Sequence, residues 1–334
     1  MKILVLSHTE GKHLPDAALE ALTAAKKLGG SLSIGLWGAH AEEAADTLTD
    51  AGADSIFIVN GKDFDTPRYA TDIAAAEALV KASGADVVVT GHTPRTARIQ
   101  GGLAVRLGGA VDTHVTDLKA DGDNVSASRW FYRQRIKADV KRSERPWIIG
   151  VDAGVFEAFS GSDGQVEVQE VSVDVTDQMT RTRVEGIAAP ESDEQTIKPD
   201  AELLLVAGAG WTKQQAGGGT KVDQAADLIL NVLKKSGASL GGTKSMVDME
   251  SEGQKTLRFM THMNQIGQTG STPRHKKGLA TCCHGEEPHV VGWRFISERR
   301  AVNLDANCGW AHGKADVLYI ADAFKVMEEL SKLL

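Results

Sequence analysis

Short apolar segments alternate with alanine-rich segments of helical spacing along the N-terminal part of the chain. The segments KILVLSH and SLSIGLWG are apolar runs that open into polar turns, which is typical of buried strands. Between them lies PDAALEALTAAKKLGG, whose apolar residues recur near helical spacing and whose final glycines mark a helix end. Further helix–strand pairs end in DSIFIVN and ADVVVTG. This alternation predicts an α/β fold with a parallel sheet covered by helices on both faces.

Polar residues follow these strands in the segments SHTEGKH, WGAHAEE and TGHTPRTAR. The carboxyl ends of parallel strands lie at one edge of a sheet, and ligands of such sheets bind there. We therefore expect the polar groups of these segments to line a common edge.

The pattern of the sequence changes at about residue 125, where apolar and polar residues begin to alternate and predict antiparallel strands that complete the first sheet. EVQEVSVDVT continues that pattern. Residues 177–200 are polar, aperiodic and contain two prolines, and a second α/β unit begins at AELLLVAGAGWT. We predict an N-terminal domain over 1–176, a linker over 177–200 and a C-terminal domain over 201–334.

The composition excludes several classes of protein. A net charge of −8 argues against a general nucleic-acid binder, and the N-terminal apolar run is too short for a secretory signal. No stretch reaches the roughly 18 apolar residues of a membrane span. Three cysteines, an odd number, do not form a disulfide framework. We expect a reduced, cytoplasmic protein that is not embedded in a membrane.

The cysteines and half of the ten histidines fall in the last quarter of the chain, which raises the question of a metal site. Cys282 and Cys283 are adjacent, so in an extended chain they point to opposite faces, and no Cys-x-x-Cys pair exists. Buried, inert cysteines are the favoured interpretation, and no metal ligands are predicted. A metal-dependent protein that uses these cysteines with His284 and Cys308 is a less favoured alternative.

The segment QIGQTG places two glycines three residues apart around Gln268 and Thr269. Backbone N–H groups in such a turn can face an anion, and the two side chains add polar contacts. The segment matches neither the Walker A motif nor the GxGxxG fingerprint. Taken alone, it predicts only a polar turn that could hold a phosphate or a cofactor.

The order of GTKSMVD, QIGQTG, CHGEEPH and VNLDA resembles that in the alpha subunit of electron-transfer flavoproteins. TGHTPRTARIQGGLAVRLGGAVDTHVTDL resembles the first domain of the same family, so the resemblance covers nearly the whole chain. It implies an N-terminal Rossmann-like α/β domain of the nucleotide-hydrolase type. It also implies a C-terminal α/β domain that is flavodoxin-like, or DHS-like, and binds FAD.

The resemblance assigns roles at the flavin. Thr269 would hydrogen-bond the flavin N5 edge, Gln268 and the neighbouring glycines would line the ring and ribityl chain, and His289 would stabilise negative charge near N1 and O2. A further group would lie toward the adenosine. The implied FAD-binding residues are Thr243, Lys244, Gln265, Gly267, Gln268, Thr269, Gly270, His284, Gly285, His289, Asn303, Asp305 and Asp322.

The chain departs from the family pattern at positions that bear on the flavin potential. Lys244 replaces an arginine, which keeps the charge but loses the planar donor fork. Gly210, beside Trp211, stands where the family has another arginine. The other replacements near the motifs are Ser271, His284, Glu286, Glu287 and Pro288.

The resemblance implies a redox carrier without its own organic substrate, hence not an enzyme. It would accept electrons from a dehydrogenase and pass them to a membrane-linked oxidoreductase. The chain would form a heterodimer with a beta subunit, which in the family usually carries AMP. We expect no binding of nucleic acid. A flavin-free structural subunit of the same heterodimer is the alternative.

Overall fold

The computed structural model divides into two compact units, Met1–Ala188 and Ala189–Leu334. Both units have an α/β fold, which confirms the predicted class. The linker predicted over 177–200 stays a prediction. None of the helices in the described ranges has the length and apolar character that a bilayer crossing requires. The structure describes residues 1–131, 136–161, 166–186, 196–198, 201–215, 217–243, 246, 255–266, 275–281, 296–307 and 315–334.

The N-terminal unit is built on a nine-stranded sheet in the order β7-β6-β5-β8-β4-β1-β2-β3-β9. Its strands are β1 (Lys2–His8), β2 (Ser31–Gly38), β3 (Ser55–Asn60), β4 (Val87–Gly91), β5 (Ala110–Asp121), β6 (Asn124–Phe131), β7 (Ile136–Val140), β8 (Trp147–Val151) and β9 (Val168–Glu170). Its helices are α1 (Asp16–Lys26), α2 (Ala41–Asp46), α3 (Tyr69–Ser83), α4 (Pro94–Leu107) and α5 (Asp177–Thr180).

The pairing of these strands is parallel through the centre of the sheet and antiparallel at one edge. Strands β6 and β7 pair in antiparallel fashion, as the alternating pattern from residue 125 predicts. Strand β8, which belongs to the same stretch of sequence, differs from this prediction because it pairs in parallel with β4 and β5. Strand β9 differs from the expectation, because it pairs in parallel with β3 at the opposite edge. Its three residues are all exposed, so their side chains carry no pattern that identifies the neighbouring strand.

Helices cover both faces of the central strands. Along β1, Ile3 and Val5 pack into the core shared with α1 and α2, whereas Leu4 and Leu6 pack into the core shared with α3 and α4. Alternate residues of a strand point to opposite faces, so one apolar run supplies both cores. Strands β4 and β8 are buried along their whole length, as expected for parallel strands covered on both sides.

The C-terminal unit contains a five-stranded, fully parallel sheet in the order β11-β10-β12-β13-β14. Numbered within the unit, this is the flavodoxin-like order 2-1-3-4-5, which confirms the predicted fold and places the topological switch point between β10 and β12. The elements are β10 (Leu203–Ala207), α6 (Val222–Ser236), β11 (Ser239–Gly242), β12 (Lys277–Thr281), β13 (Glu298–Asn303), β14 (Val317–Ile320) and α7 (Ala323–Leu333).

Helices α6 and α7 pack on the same face of this sheet. Ile229 and Val232 of α6 share a core with Phe324 and Met327 of α7. At the edge of that core, Asn231 Nδ2 donates to Ser331 Oγ over 2.6 Å. The apolar residues of both helices and the hydrogen bond between them therefore hold α6 and α7 together on one face of the second sheet.

A buried carboxylate, Asp72 of α3, ties the helices of one face of the first sheet together. Its oxygens accept hydrogen bonds from Arg95 Nη2 over 2.6 Å, Arg98 Nη2 over 2.5 Å and Trp37 Nε1 over 3.0 Å. Arg95, itself buried, also donates to the carbonyl oxygens of Phe64 and Asp65. Because a buried charge is tolerated only when paired and hydrogen-bonded, this network fixes α4 against α3 and the turn after β3.

We expect the substitution Asp72→Ala to lower the free energy of unfolding of the N-terminal unit by about 3–5 kcal/mol, because it leaves the Arg95 guanidinium buried and unpaired. Pulse proteolysis in urea, with mass spectrometry of fragments from this unit, measures the loss. Lys81→Ala is the control, since Lys81 forms an exposed pair with Glu77 and should change stability by less than about 1 kcal/mol. Equal effects of the two substitutions would contradict the assigned role of Asp72.

Candidate functional site

The switch point of the second sheet is closed by a buried tryptophan. After β10 the chain forms a short 3₁₀ turn, Ala209–Trp211, and Trp211 Nε1 donates to Thr281 Oγ1 at the end of β12 over 2.9 Å. The indole ring also packs edge-on against Phe324, with ring centroids 4.6 Å apart. Trp211 is therefore a core residue that joins the ends of β10 and β12. It directly follows Gly210, the position at which the family resemblance implies an arginine.

Thr243 and Gln265 lie together at the carboxyl end of β11. The Thr243 amide donates to Ala207 O over 3.2 Å, which continues the strand pairing by one residue. Gln265 forms an isolated parallel bridge with Gly242, and the next amide, that of Ile266, donates to Gly242 O over 3.2 Å. The start of the QIGQTG segment is thus attached to the strand that leads into the TKSMVD segment.

Asn264 anchors this attachment, and the sequence did not single it out. Its Oδ1 accepts from the Thr261 amide over 3.0 Å, and its Nδ2 donates to Thr196 Oγ1 over 3.1 Å and to Leu240 O over 3.2 Å. The side chain is buried. Its hydrogen-bond partners at positions 196 and 240 are distant in sequence. The one sequence feature that could have indicated a role for Asn264 is therefore its position next to Gln265.

Asn303 and Asp305 follow β13 at the same edge of the sheet. Asn303 is buried, and among the described atoms its Nδ2 has no hydrogen-bond acceptor. A buried amide without an acceptor costs about 1–3 kcal/mol, so an orphan donor of this kind is a place where a bound molecule can supply the acceptor. Asp305 Oδ1 accepts from the Asn307 amide over 2.8 Å, which fixes the turn after the strand.

Asp322 lies beside this turn and caps helix α7. Its Oδ1 accepts from the Phe324 amide over 2.9 Å, the usual contact of an aspartate at a helix N-terminus. The Ala321 amide donates to Asn303 O over 3.1 Å, so the ends of β13 and β14 bring Asn303 and Asp322 together. Helix capping accounts for the Asp322 contact, and a role toward a cofactor stays a prediction.

Two polar groups therefore lie along one edge, the first at β11 and the second at β13. Three strand spacings separate them, roughly 14 Å at about 4.8 Å per strand. The other predicted binding residues lie outside the described part of the chain, as do the three cysteines of the metal alternative. Those binding residues are Lys244, Gly267, Gln268, Thr269, Gly270, His284, Gly285 and His289.

The carboxyl edge of the first sheet carries a buried histidine, His8, at the end of β1. Burial, the largest cause, and the charge of the nearby Arg95 together lower the pKa of His8 from 6.5 to about 4. Glu10 Oε1 lies 3.4 Å from His8 Nε2 and acts in the opposite direction, but burial dominates. His8 is therefore a neutral imidazole at neutral pH, packed against Trp37 with ring centroids 5.9 Å apart.

Two α/β units, the second with a flavodoxin-like strand order, place the chain among doubly wound α/β proteins, which bind ligands at the carboxyl edge of the sheet. Within that class, the family model described as the electron transfer flavoprotein domain matches residues 3–176. The match spans more than half of the 334 residues, and the chain belongs to the electron transfer flavoprotein family. The family resemblance predicted from the sequence is confirmed.

Similar proteins extend the match through the second unit. The chain is 25% identical to protein FixB of Clostridium saccharobutylicum over 322 residues, which cover 93% of this chain and 88% of that protein. It is 24% identical to the electron transfer flavoprotein subunit alpha of Syntrophomonas wolfei, with coverage of 95% and 94%. The subunit alpha of Methylophilus methylotrophus is also 24% identical, with 98% of each chain covered. The predicted resemblance to alpha subunits is confirmed.

The neutral state of His8 predicts how the stability of the N-terminal unit depends on pH. The unfolded chain takes up the His8 proton near pH 6.5 and the folded chain only near 4, so stability is full above 6.5 and falls between these values. The pKa difference corresponds to about 3 kcal/mol in the free energy of unfolding. Hydrogen-exchange protection of the β1 and β2 amides, corrected for intrinsic exchange, measures this change.

In the variant His8→Gln this component of the pH dependence should disappear, because glutamine does not titrate. His13→Gln serves as the control, since it removes an exposed histidine. If protection in the parent and in His8→Gln falls equally between pH 6.5 and 4, the burial of a neutral His8 does not set acid stability.

Proposed function

We propose that the chain is the alpha subunit of an electron transfer flavoprotein and binds FAD at the carboxyl edge of its C-terminal sheet. The proposal rests on the orphan amide of Asn303, which lies at the same edge of the sheet as the bridge between Gly242 and Gln265. A donor buried without an acceptor at this edge is satisfied when a polar ligand binds there. A flavodoxin-like sheet binds its cofactor at this edge, next to the switch point.

The separation of the two polar groups suits an extended dinucleotide. FAD carries a flavin at one end and an adenosine at the other, and the roughly 14 Å between β11 and β13 can be spanned by its ribityl-pyrophosphate chain. In this proposal the flavin lies toward Gln265 and the segment that follows it. The adenosine lies toward Asn303, whose amide would donate to a ring nitrogen or a ribose oxygen.

Bound FAD would supply the redox chemistry, and the chain would bind and orient it and set the charge around it. Thr269 is proposed to donate to the N5 edge, and His289 to stabilise negative charge near N1 and O2. Lys244 would add a cation at the ring. In this function the protein is a carrier that takes electrons from a dehydrogenase and has no organic substrate of its own.

The proposed partners are a beta subunit, which would carry AMP, and a membrane-linked acceptor oxidoreductase. Relatives of the chain are named as subunits, which supports a heterodimer. The edge strand β14 exposes Val317, Tyr319 and Ile320. An exposed apolar edge strand is usually covered, so a partner surface at β14 agrees with the proposal. A cytoplasmic location remains a prediction.

The test is to purify the chain together with its beta subunit and to identify the released cofactor. One FAD per alpha chain, with flavin absorbance in the complex, supports the proposal. A colourless complex that takes up no added FAD overturns it and favours the flavin-free structural subunit. Zinc or iron that is lost when Cys282, Cys283 and Cys308 are replaced by serine would favour the metal alternative.

We expect Gly241→Ala to weaken FAD binding about tenfold, or about 1.4 kcal/mol. A Cβ at Gly241 would lie 2.6 Å from Ile266 Cγ2, and a β-branched side chain cannot easily turn away. Ile266 would shift, and with it the start of the predicted cofactor loop. Fluorescence titration of the apoprotein with FAD measures the affinity.

Gly217→Ala is the matched control for this prediction, because a Cβ at Gly217 meets no atom within 4 Å. Circular dichroism of both variants checks that the fold is retained. An unchanged FAD affinity in folded Gly241→Ala would show that the packing of Ile266 does not position the cofactor loop.

Lys244→Arg should raise the potential of the bound flavin, and Lys244→Ala should lower it. A planar guanidinium holds its charge in place, whereas an ammonium on a flexible stem stabilises the reduced ring less. About 1.4 kcal/mol of added stabilisation would change the redox equilibrium tenfold, which spectroelectrochemistry resolves. Lys234→Ala, an exposed lysine of α6, is the control. Parent-like titrations of both Lys244 variants would mean that Lys244 does not face the flavin.

A further inference from the structure

Three potential metal ligands lie on three neighbouring strands of the first sheet, at the level where β4 and β8 end. His92 directly follows β4, Asp152 directly follows β8, and His114 lies in β5. The strands are adjacent in the order β5-β8-β4. Backbone bonds hold these ends in register, because the His92 amide donates to Val151 O and the Asp152 amide donates to Val115 O. This is the edge at which parallel sheets bind ligands.

The donor atoms of these side chains converge. One ligand atom from each of His92, His114 and Asp152 lies within 4.8 Å of the other two. His114 Nδ1 is 3.0 Å from Asp152 Oδ1, and the two imidazole centroids are 5.0 Å apart. Around a tetrahedral ion with bonds of about 2.0–2.1 Å, ligand atoms are separated by about 3.3 Å. Small side-chain movements would therefore complete the coordination.

One ring nitrogen of His92 is buried without a hydrogen-bond partner among the described residues. Among the described residues, Nδ1 of His92 is buried and has no hydrogen-bond partner. Buried polar atoms are nearly always paired, and an imidazole nitrogen is the most common ligand of transition metals in proteins. An ion pair between His114 and Asp152 would account for the positions of those two side chains. It would still leave Nδ1 of His92 without a hydrogen-bond partner among the described residues.

The backbone conformation of His114 is unusual, and it supports a role of this side chain as a metal ligand. Within the described ranges it is the one residue other than glycine with a left-handed backbone, at φ 57°. The register of β5 against β8 shifts across His114, between Asp112 and Val115, and the register against β6 shifts just after it, between Val115 and Asp117. Bulges of this kind redirect a side chain, and strained backbone persists most often at functional sites.

We propose that His92, His114 and Asp152 bind a divalent transition-metal ion of the zinc class. Two imidazoles and one carboxylate form the kind of ligand set that leaves a fourth position open to water or another ligand. The site is in the N-terminal unit and is independent of the cofactor site proposed for the C-terminal unit. It uses none of the cysteines.

The test uses the full chain with Cys282, Cys283 and Cys308 replaced by serine, stripped with a chelator and titrated with Co²⁺ and Zn²⁺. We expect one equivalent of Co²⁺ with visible d–d bands, displaced by Zn²⁺. His92→Ala and Asp152→Asn should each weaken binding at least tenfold. His40→Ala, a half-exposed histidine outside the cluster, should bind like the parent.

His114→Gly separates ligand loss from misfolding, because glycine adopts the left-handed backbone of this position without strain. It should unfold at the same or a higher temperature than the parent and still lose metal binding at least tenfold. Absence of stoichiometric Co²⁺ binding in the parent overturns the proposal. Binding that is unchanged in folded His114→Gly and His92→Ala overturns it equally, because the ion would then bind elsewhere.

Discussion

Parallel pairing is the constraint on which the rest of both units depends. Because every parallel strand ends at the same edge, polar side chains from distant segments must line that edge while the apolar strand interiors stay buried. In the second unit this brings Thr243 next to Gln265 and Asn303 next to Asp322. In the first unit it brings together His92, His114 and Asp152. Each proposed site is thus a consequence of topology before it is a consequence of residue type.

Hydrogen-bond and ion-pair partners determine which buried polar groups of the first unit carry a charge. Burial alone would raise the pKa of Asp112, but hydrogen bonds from Arg142, Arg129 and Trp147 hold it below its usual range. His8, whose acidic neighbour Glu10 is mostly exposed, has a lowered pKa because burial outweighs the partner. Full pairing keeps an ion in the interior, and partial pairing yields a neutral group. The same interior therefore contains fixed charges that join elements and a histidine that resists protonation.

The sequence predicted elements well and contacts poorly. Hydrophobic periodicity is local, so the alternation of strands and helices and the antiparallel strands β6 and β7 could be predicted directly. The flavodoxin-like order of the second sheet came from the family resemblance, since periodicity does not state which strands are neighbours. The parallel pairing of β8 and β9 and the hydrogen bonds of Asn264 were not predicted, because each depends on backbone or side-chain partners far away in sequence. Roles at the flavin remain predictions, since most of those residues lie outside the described ranges.

The switch point of the second sheet, next to which we propose that the cofactor binds, is also part of the packed core. The family has an arginine where this chain has Gly210, and the adjacent Trp211 is fully buried between the ends of β10 and β12. An indole that donates its one N–H to Thr281 has no further donor to offer a ligand. The strand ends are thereby joined by a neutral core contact. Positive charge for a bound anion would then come from other side chains, and Lys244 is the proposed source.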